Sequence, residues 1–145
     1  MTSSIELRHV TKEFVVRPTK DQPRASVLRA VEDISLTVPA GEFLALVGPS
    51  GSGKTTLLDL LGGLSTPTRG QVLVDGEVVT GPGLDRGVVF QQYALFPWRT
   101  ALANVAFGLE QLPLSRRERT ERAREYLALV GLSGFEERLP HELSG

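Results

Sequence analysis

Hydrophobic and polar residues alternate along the first part of this 145-residue chain and then give way to continuous apolar runs. Loose alternation over residues 5–16 and clearer alternation over residues 33–38 predict two strands with one buried face each. Residues 43–47 are continuously apolar, which is typical of a strand that is buried on both faces of a sheet. Residues 87–90 form a further short apolar run and predict another strand.

The pattern becomes helix-like after residue 54, and the pair Gly62-Gly63 predicts where this helix ends. Residues 71–79 predict a hairpin, because Asp75-Gly76 separates two β-branched runs and suits a type I′ turn.

From about Leu95 onward the sequence again has a helical pattern. Ser115 and Glu118 fit a capping box, and Gly131 stands where a helix C-terminus favours glycine. Arginine and glutamate are interleaved over residues 116–125. This interleaving predicts a solvated helix face with short-range ion pairs rather than a functional basic patch.

Composition narrows the class of protein. Hydrophobic residues make up 41% of the chain and charged residues 23%, and the formal net charge is -1, which is typical of a globular protein. This near-neutral charge gives no reason to expect nucleic acid as a partner. The absence of cysteine excludes disulfides and thiolate metal sites. Residues 1–8 lack the features of a secretion signal, and the run at 43–47 is too short to span a bilayer.

The strongest chemical signal is the glycine-rich stretch before the first predicted helix. It fits the phosphate-binding pattern G-x-x-x-x-G-K-[ST] with Gly48, Pro49, Ser50, Gly51, Ser52, Gly53, Lys54 and Thr55. Glycines let successive N–H groups point at one anion, and the positive end of the helix dipole lies at the same point. Lys54 supplies a full charge to the phosphates, and the Thr55 hydroxyl is placed to bind Mg²⁺. The stretch predicts nucleoside triphosphate binding with Mg²⁺.

Further motifs narrow the kind of phosphate-loop protein. Gly48 to Leu58, followed by Gly70-x-Val72-x-Val74-Asp75-Gly76, resembles the nucleotide-binding subunits of ABC transporters. In that family a glutamine follows the next core strand, and Gln91 takes this place. Leu143-Ser144-Gly145 looks like the first three residues of the family's LSGGQ signature. The resemblance covers essentially the whole chain and implies ATP as the ligand.

The resemblance implies roles for individual residues. Lys54 and Gln91 would serve catalysis, and Gln91 would touch Mg²⁺ and the attacking water. Phe14 matches the aromatic that stacks on adenine, although the residue alone fits a core role equally well. Ser144 and Gly145 would contact the γ-phosphate held by the opposite protomer of a head-to-tail homodimer. The nucleotide contacts implied in this way are Phe14, Gly48, Pro49, Ser50, Gly51, Ser52, Gly53, Lys54, Thr55, Thr56, Gln91, Ser144 and Gly145, with Thr55 and Gln91 at the metal.

A finer resemblance concerns the residues around and after Gln91. Gly81 to Gln91, Leu95 to Thr100 and Asn104 to Leu109 are similar to the importers for nitrate, aliphatic sulfonates and taurine. This similarity implies ATP-driven import with transmembrane permease subunits and, indirectly, a substrate-binding protein. The chain would then be cytoplasmic and held at the membrane by the permease. Residues 96–98 either line the groove that receives the permease or form the core of a helical subdomain.

Some parts of the family pattern have no counterpart in the chain. Family members carry a Mg²⁺-binding aspartate, a catalytic glutamate and a switch histidine beyond the signature. His9 and His141 stand elsewhere and are assigned structural or surface roles. Because phosphoryl transfer depends on positioning the attacking water, we expect this chain to bind ATP and to hydrolyse it negligibly by itself. We expect it to be an incomplete reading of a longer product.

The predicted fold class is α/β. It comprises a phosphate-loop ABC ATPase core with an N-terminal antiparallel β subdomain in residues 1–94 and the beginning of a helical subdomain in residues 95–145, with the C-terminal half missing. Two other functions stay open: a soluble ABC ATPase without a membrane partner, and a non-catalytic module that regulates a full-length subunit.

Overall fold

The computed structural model describes residues 3–18, 24–91 and 94–143, which fall into two compact units, Met1–Val88 and Val89–Gly145. The first unit contains a four-stranded sheet in the order β2-β1-β3-β4, and every neighbouring pair is antiparallel. The strands are β1 (Ile5–Val16), β2 (Ser26–Val38), β3 (Arg69–Val74) and β4 (Glu77–Val78). The predicted antiparallel β subdomain is therefore confirmed, whereas the boundary after residue 94 stays a prediction.

The hairpin between β3 and β4 has the predicted turn. Asp75 and Gly76 both have positive φ angles, of 50° and 81°, as a type I′ turn requires. β1 lies between its partners, with Ile5 opposite both Val38 of β2 and Val74 of β3. The hairpin therefore adds its two strands to the free side of β1.

The core of the first unit lies between this sheet and helix α1 (Lys54–Leu61). Leu57 and Leu60 of the helix pack in one buried cluster with sheet residues, because the i, i+3 spacing puts both on one helix face. The buried cluster consists of Leu7, Val10, Val31, Leu57, Leu60 and Val72. This packing fixes where α1 begins, and hence where the phosphate-binding pattern lies.

The two apolar runs predicted as buried strands are not strands. Residues 43–47 lie outside the sheet, with Phe43 91% exposed and Val47 94% exposed. Residues 87–90 are likewise irregular, and Val89 is fully exposed. A strand needs a neighbour for its backbone N–H and C=O groups, and no strand in the described part of the chain pairs with either run. The prediction that these two runs form strands is therefore wrong.

The second unit is helical, as predicted from about Leu95 onward. It contains α2 (Ala101–Gly108), α3 (Arg116–Leu129) and a short 3₁₀ helix (Pro140–Glu142). The capping box of Ser115 and Glu118 is present, and Gly131 follows the end of α3 with a φ of 77°. Ala101, Ala123 and Leu127 are the buried residues of α2 and α3. In the described part of the chain no helix is both long and apolar enough to traverse a lipid bilayer.

Candidate functional site

The glycine-rich stretch forms a tight loop that leads directly into α1. The Ser52 N–H donates to the Pro49 carbonyl at 3.3 Å, and the Leu57 N–H donates to the Gly53 carbonyl at 2.9 Å. Gly53 is the residue that caps the helix, and its φ of 84° lies in the left-handed region. The loop therefore reverses and enters the helix within a few residues.

Gly53 also holds the loop against the sheet. A Cβ atom at this position would lie 2.3 Å from the Ala30 carbonyl oxygen of β2, closer than non-bonded atoms approach. Both the backbone angle and the space therefore require glycine. The second glycine of the phosphate-binding pattern is thus the point at which the loop touches the sheet.

The N-terminus of α1 presents the donors that a phosphate group needs. Lys54, Thr55 and Thr56 occupy the first helical turn, where backbone N–H groups have no acceptor within the helix. Gly53 has no side chain with which to cap them, and the positive end of the helix dipole lies at the same place. The side chain of Thr55 is exposed, so its hydroxyl is available to a metal ion beside the phosphates.

The side chain of Lys54 folds back over the loop. Its Nζ donates to the carbonyl oxygens of Gly48 at 2.8 Å and Pro49 at 2.7 Å, and to Ser52 Oγ at 3.2 Å. These acceptors keep the ammonium group at the loop, beside the N–H groups of the first helical turn.

A cleft of about 360 Å³ adjoins the loop on the side of β2. Ala30, Val31 and Glu32 of β2 line it, together with loop residues that include Lys54. Phe14 lies opposite Leu28 in the β1–β2 pair, and Leu28 is two residues along β2 from Ala30. The Phe14 ring is 41% exposed, and Lys12 Nζ lies 5.1 Å from its centre. Phe14 is therefore outside the buried core, on the strand pair that borders the cleft.

The other predicted site residues lie in the second unit or outside the described residues. Gln91 belongs to the second unit and is exposed. Ser144 and Gly145 lie outside the described residues. His9 is exposed, with Nδ1 2.8 Å from Asp33 Oδ1, consistent with a surface role. Among the described residues, no three His, Asp or Glu side chains gather into a metal-binding group.

The segment after Gln91 contains contacts that the sequence reasoning missed. Asn104 fixes the turn before α2, because its side chain accepts from the Phe96 N–H at 2.8 Å and donates to the carbonyls of Phe96, Arg99 and Thr100. Phe96 packs edge-to-face on Phe107, whereas Trp98 is 73% exposed. An asparagine one turn inside a helix that follows a proline-containing loop is the signal that could have indicated this clamp. Phe96 is therefore packed and Trp98 exposed, and the role of residues 96–98 as a permease groove stays a prediction.

The loop, helix and lysine together have the arrangement of a phosphate-binding loop on an α/β framework. The sequence profile of the ABC transporter family matches residues 31–145. The chain belongs to this family.

Two similar proteins are known from their sequences. An uncharacterised ABC transporter ATP-binding protein of Methanocaldococcus jannaschii is 55% identical over 145 residues, which is 100% of this chain and 52% of that protein. The nitrate import ATP-binding protein of a Synechocystis species is 54% identical over 97% of this chain and 50% of its own length. The chain therefore spans about half the length of the curated relatives that it matches.

A third relative and a solved structure agree with this placement. A taurine import ATP-binding protein of Pseudomonas syringae is 56% identical over 79% of this chain and 44% of its own length. A dimeric ATP-binding cassette bound to ADP and Pi superposes with a TM-score of 0.77 at 33% identity, covering 97% of this chain and 63% of that one. The predicted fold class, an ABC ATPase cassette of which the chain covers a part, is confirmed.

Proposed function

We propose that the complete protein is the ATP-binding subunit of an ABC importer and that this chain carries its nucleotide-binding loop. The observation that supports this most strongly is the union of Lys54 Nζ, the first-turn N–H groups of α1 and the left-handed Gly53 in one loop. The backbone donors suit phosphate oxygens, and the lysine adds the charge that draws a triphosphate rather than a neutral ligand.

The remaining contacts are proposed from the family resemblance. The Thr55 hydroxyl would bind Mg²⁺, which neutralises charge between the β- and γ-phosphates. Gln91 would touch the same ion and orient the attacking water, and Phe14 would stack on the adenine. Ser144 and Gly145 would contact the γ-phosphate of the partner protomer. A half-exposed ring on the strand pair beside the cleft supports the proposal for Phe14.

The cargo and the partners follow from the relatives. Two of these relatives are named for nitrate import and taurine import, so we assign the complete protein to an importer of nitrate, aliphatic sulfonates or taurine. The complete subunit would form a head-to-tail homodimer, bind permease subunits on the cytoplasmic face of the membrane, and depend indirectly on a substrate-binding protein. The solved cassette that this chain resembles is itself dimeric. Co-purification with a permease separates this proposal from a soluble ABC ATPase.

The experiment that tests nucleotide binding compares the 145-residue chain with Lys54→Ala by calorimetry with MgATP. Each hydrogen bond to a charged group contributes about 1.5–3 kcal/mol, so we expect the affinity to fall by at least about tenfold. Arg8→Ala removes one positive charge from the exposed Glu6–Arg8 pair and is the matched control, for which the affinity should stay within about twofold. Equal affinity for the parent and Lys54→Ala would contradict the proposal, as would the absence of binding by the parent.

We further propose that the 145-residue chain binds ATP without turning it over, because none of its residues matches the catalytic glutamate of the family. The measurement is release of inorganic phosphate from excess MgATP. Repeated turnover that Lys54→Ala abolishes would contradict this second proposal and leave the first intact.

A further inference from the structure

A second pocket lies entirely within the helical unit. It has a volume of about 390 Å³, which is within the range of small-molecule sites. It is lined by apolar residues of α2, including Ala103 and Ala106, and by Arg99, Arg116 and Arg119. None of these residues belongs to the nucleotide contacts proposed above.

The arginines of α3 differ in whether a carboxylate accompanies them. Arg117 pairs with Glu121 at 2.8 Å. Glu118 has a pKa below its usual range, chiefly because it accepts a hydrogen bond from Ser115, and the charge of Arg122 contributes. The pKa of Glu136 is also lowered, mainly by backbone hydrogen bonds, with a smaller effect from Arg124. These three arginines follow the predicted pattern of a solvated face with local carboxylate neighbours.

Arg116 and Arg119 do not follow that pattern. Within the described residues neither makes an ion pair, and both line the pocket. Their spacing of three places them on one side of α3. Arg116 and Arg119 are therefore the α3 arginines that line the pocket, and among the described residues no carboxylate lies within ion-pair distance of either.

Arg99 completes the cationic wall from the other side. Its guanidinium carbon lies 4.9 Å from the centre of the Phe96 ring and 5.0 Å from that of Phe107. Stacking on two rings holds the guanidinium plane while leaving its N–H edge able to donate. Its ion pair with Glu110 is long, at 3.9 Å. A held guanidinium loses less conformational freedom when a ligand binds than a free one would.

The net charge of the residues that line the pocket indicates the charge of its ligand. Three arginines face two glutamates, Glu110 and Glu137, which leaves one net positive charge. Glu110 is the partner of Arg99, so Arg116 and Arg119 provide two cations against Glu137 alone. The Thr100 hydroxyl accepts from the Ala103 N–H, and its own hydrogen stays available as a donor.

We propose that this pocket binds a tetrahedral oxyanion, sulfate, phosphate or the sulfonate group of a small molecule, with Arg116 and Arg119 as its main ligands. Planar guanidinium groups match such oxygens two at a time, which an ammonium group does not. The site lies in the helical unit and is a second anion site, separate in its residues from the phosphate loop. Occupation would hold α3 to the turn before α2 through Arg99.

The test uses the 145-residue chain carrying Lys54→Ala, which disables the phosphate loop as a competing anion site. Trp98 is the single tryptophan of the chain, and its ring centre lies 5.6 Å from that of Phe96, on which Arg99 stacks. Its fluorescence reports on this pocket. Sodium sulfate, sodium phosphate and methanesulfonate are titrated against sodium chloride at equal ionic strength. We expect saturable changes with the three oxyanions and none with chloride; methanesulfonate acting alone would identify the organic sulfonate as the ligand class.

Two variants with the same change in charge distinguish a specific anion site from nonspecific attraction by the positive charge of α3. Arg116→Gln with Arg119→Gln should weaken sulfate binding by at least about tenfold, because two charge-assisted contacts are lost. Arg122→Gln with Arg124→Gln changes the same charge on the same helix and should alter it by less than about twofold. Arg116→Lys with Arg119→Lys keeps the charge and should still weaken binding. Equal weakening by the two glutamine pairs, or no saturable response in the parent, would overturn the proposal; far-ultraviolet circular dichroism confirms that each variant is folded.

Discussion

Two apolar runs in the first unit, residues 72–74 and residues 43–47, have similar composition but differ in burial. Val72, Leu73 and Val74 of β3 are 1%, 4% and 8% exposed, whereas Phe43 and Val47 are more than nine-tenths exposed. Val72 lies between β1 and the helix α1, paired with Leu7 across the sheet. Residues 43–47 have no such neighbour in the described part of the chain.

The difference shows that apolar composition alone does not bury a segment. A segment is buried when its backbone pairs with a neighbouring strand. β1 and β3 have neighbouring strands on both sides, and this pairing places Leu7, Val10 and Val72 in the cluster with the helix. The run at 43–47 instead borders a groove of about 340 Å³ that is almost wholly apolar, lined by residues that include Leu36, Leu46 and Leu58. This groove is exposed apolar surface next to the phosphate loop.

Placing a charge in each run should give the largest contrast. Val72→Asp would bury a carboxylate without a partner, and we expect a loss of about 3 kcal/mol or more in the free energy of unfolding. Val47→Asp, at a side chain that is 94% exposed, should change it by no more than about 0.5 kcal/mol. Urea denaturation followed by circular dichroism measures both. Similar losses for the two variants would mean that residues 43–47 are packed in solution.

A substitution in the turn between β3 and β4 should have an intermediate effect on the free energy of unfolding. Gly76→Ala meets no atom within 4 Å of the new Cβ, so its cost comes from the φ of 81° alone, about 1 kcal/mol. Gly81→Ala also meets no atom within 4 Å, and Gly81 does not have a positive φ, so that variant is the matched control and should be near neutral. Equal destabilisation by the two would contradict the type I′ assignment. The paired region thus depends on its turn as well as on its apolar residues.

The smallest effect on stability is expected from removing the charge of Asp75, which links the hairpin to the residues before β1. The pKa of Asp75 lies below its ordinary value of 3.8, mainly because the Ser3 hydroxyl donates to the carboxylate and also because the Ser4 N–H does so at 2.7 Å. A lowered pKa in the folded state means that this stabilisation is complete above about pH 4 and is lost as the pH falls through the folded-state pKa. Asp75→Asn keeps a residue that tolerates positive φ and removes the charge.

The urea midpoints of the parent chain and Asp75→Asn should therefore differ most near pH 7 and converge toward pH 3. A difference that stays constant over this range would show that the carboxylate charge contributes nothing and that only the turn geometry was altered.

Local patterns predicted the elements that depend on few residues. The capping box at Ser115, the turn at Asp75-Gly76 and the helix after Gly53 were all read from the sequence, because each rests on chemistry within about four residues. The contacts of Lys54 with the carbonyls of Gly48 and Pro49 were not predicted, although they are also local. The early part of β2 was missed, because residues 26–32 do not alternate; β1 recruits them by pairing, with Val16 opposite Ser26.

The sequence by itself determined the family, the phosphate-binding pattern and the hairpin at residues 71–79, because each depends on residues that are contiguous in the chain. Only the tertiary structure decided which apolar runs are buried and which arginines of α3 face a pocket. Residues 43–47 and Val72–Val74 look alike along the chain, and Arg116 and Arg119 look like Arg117 and Arg122. Burial and pairing depend on neighbours distant in sequence, and a pattern along one segment carries no information about whether those neighbours are in place.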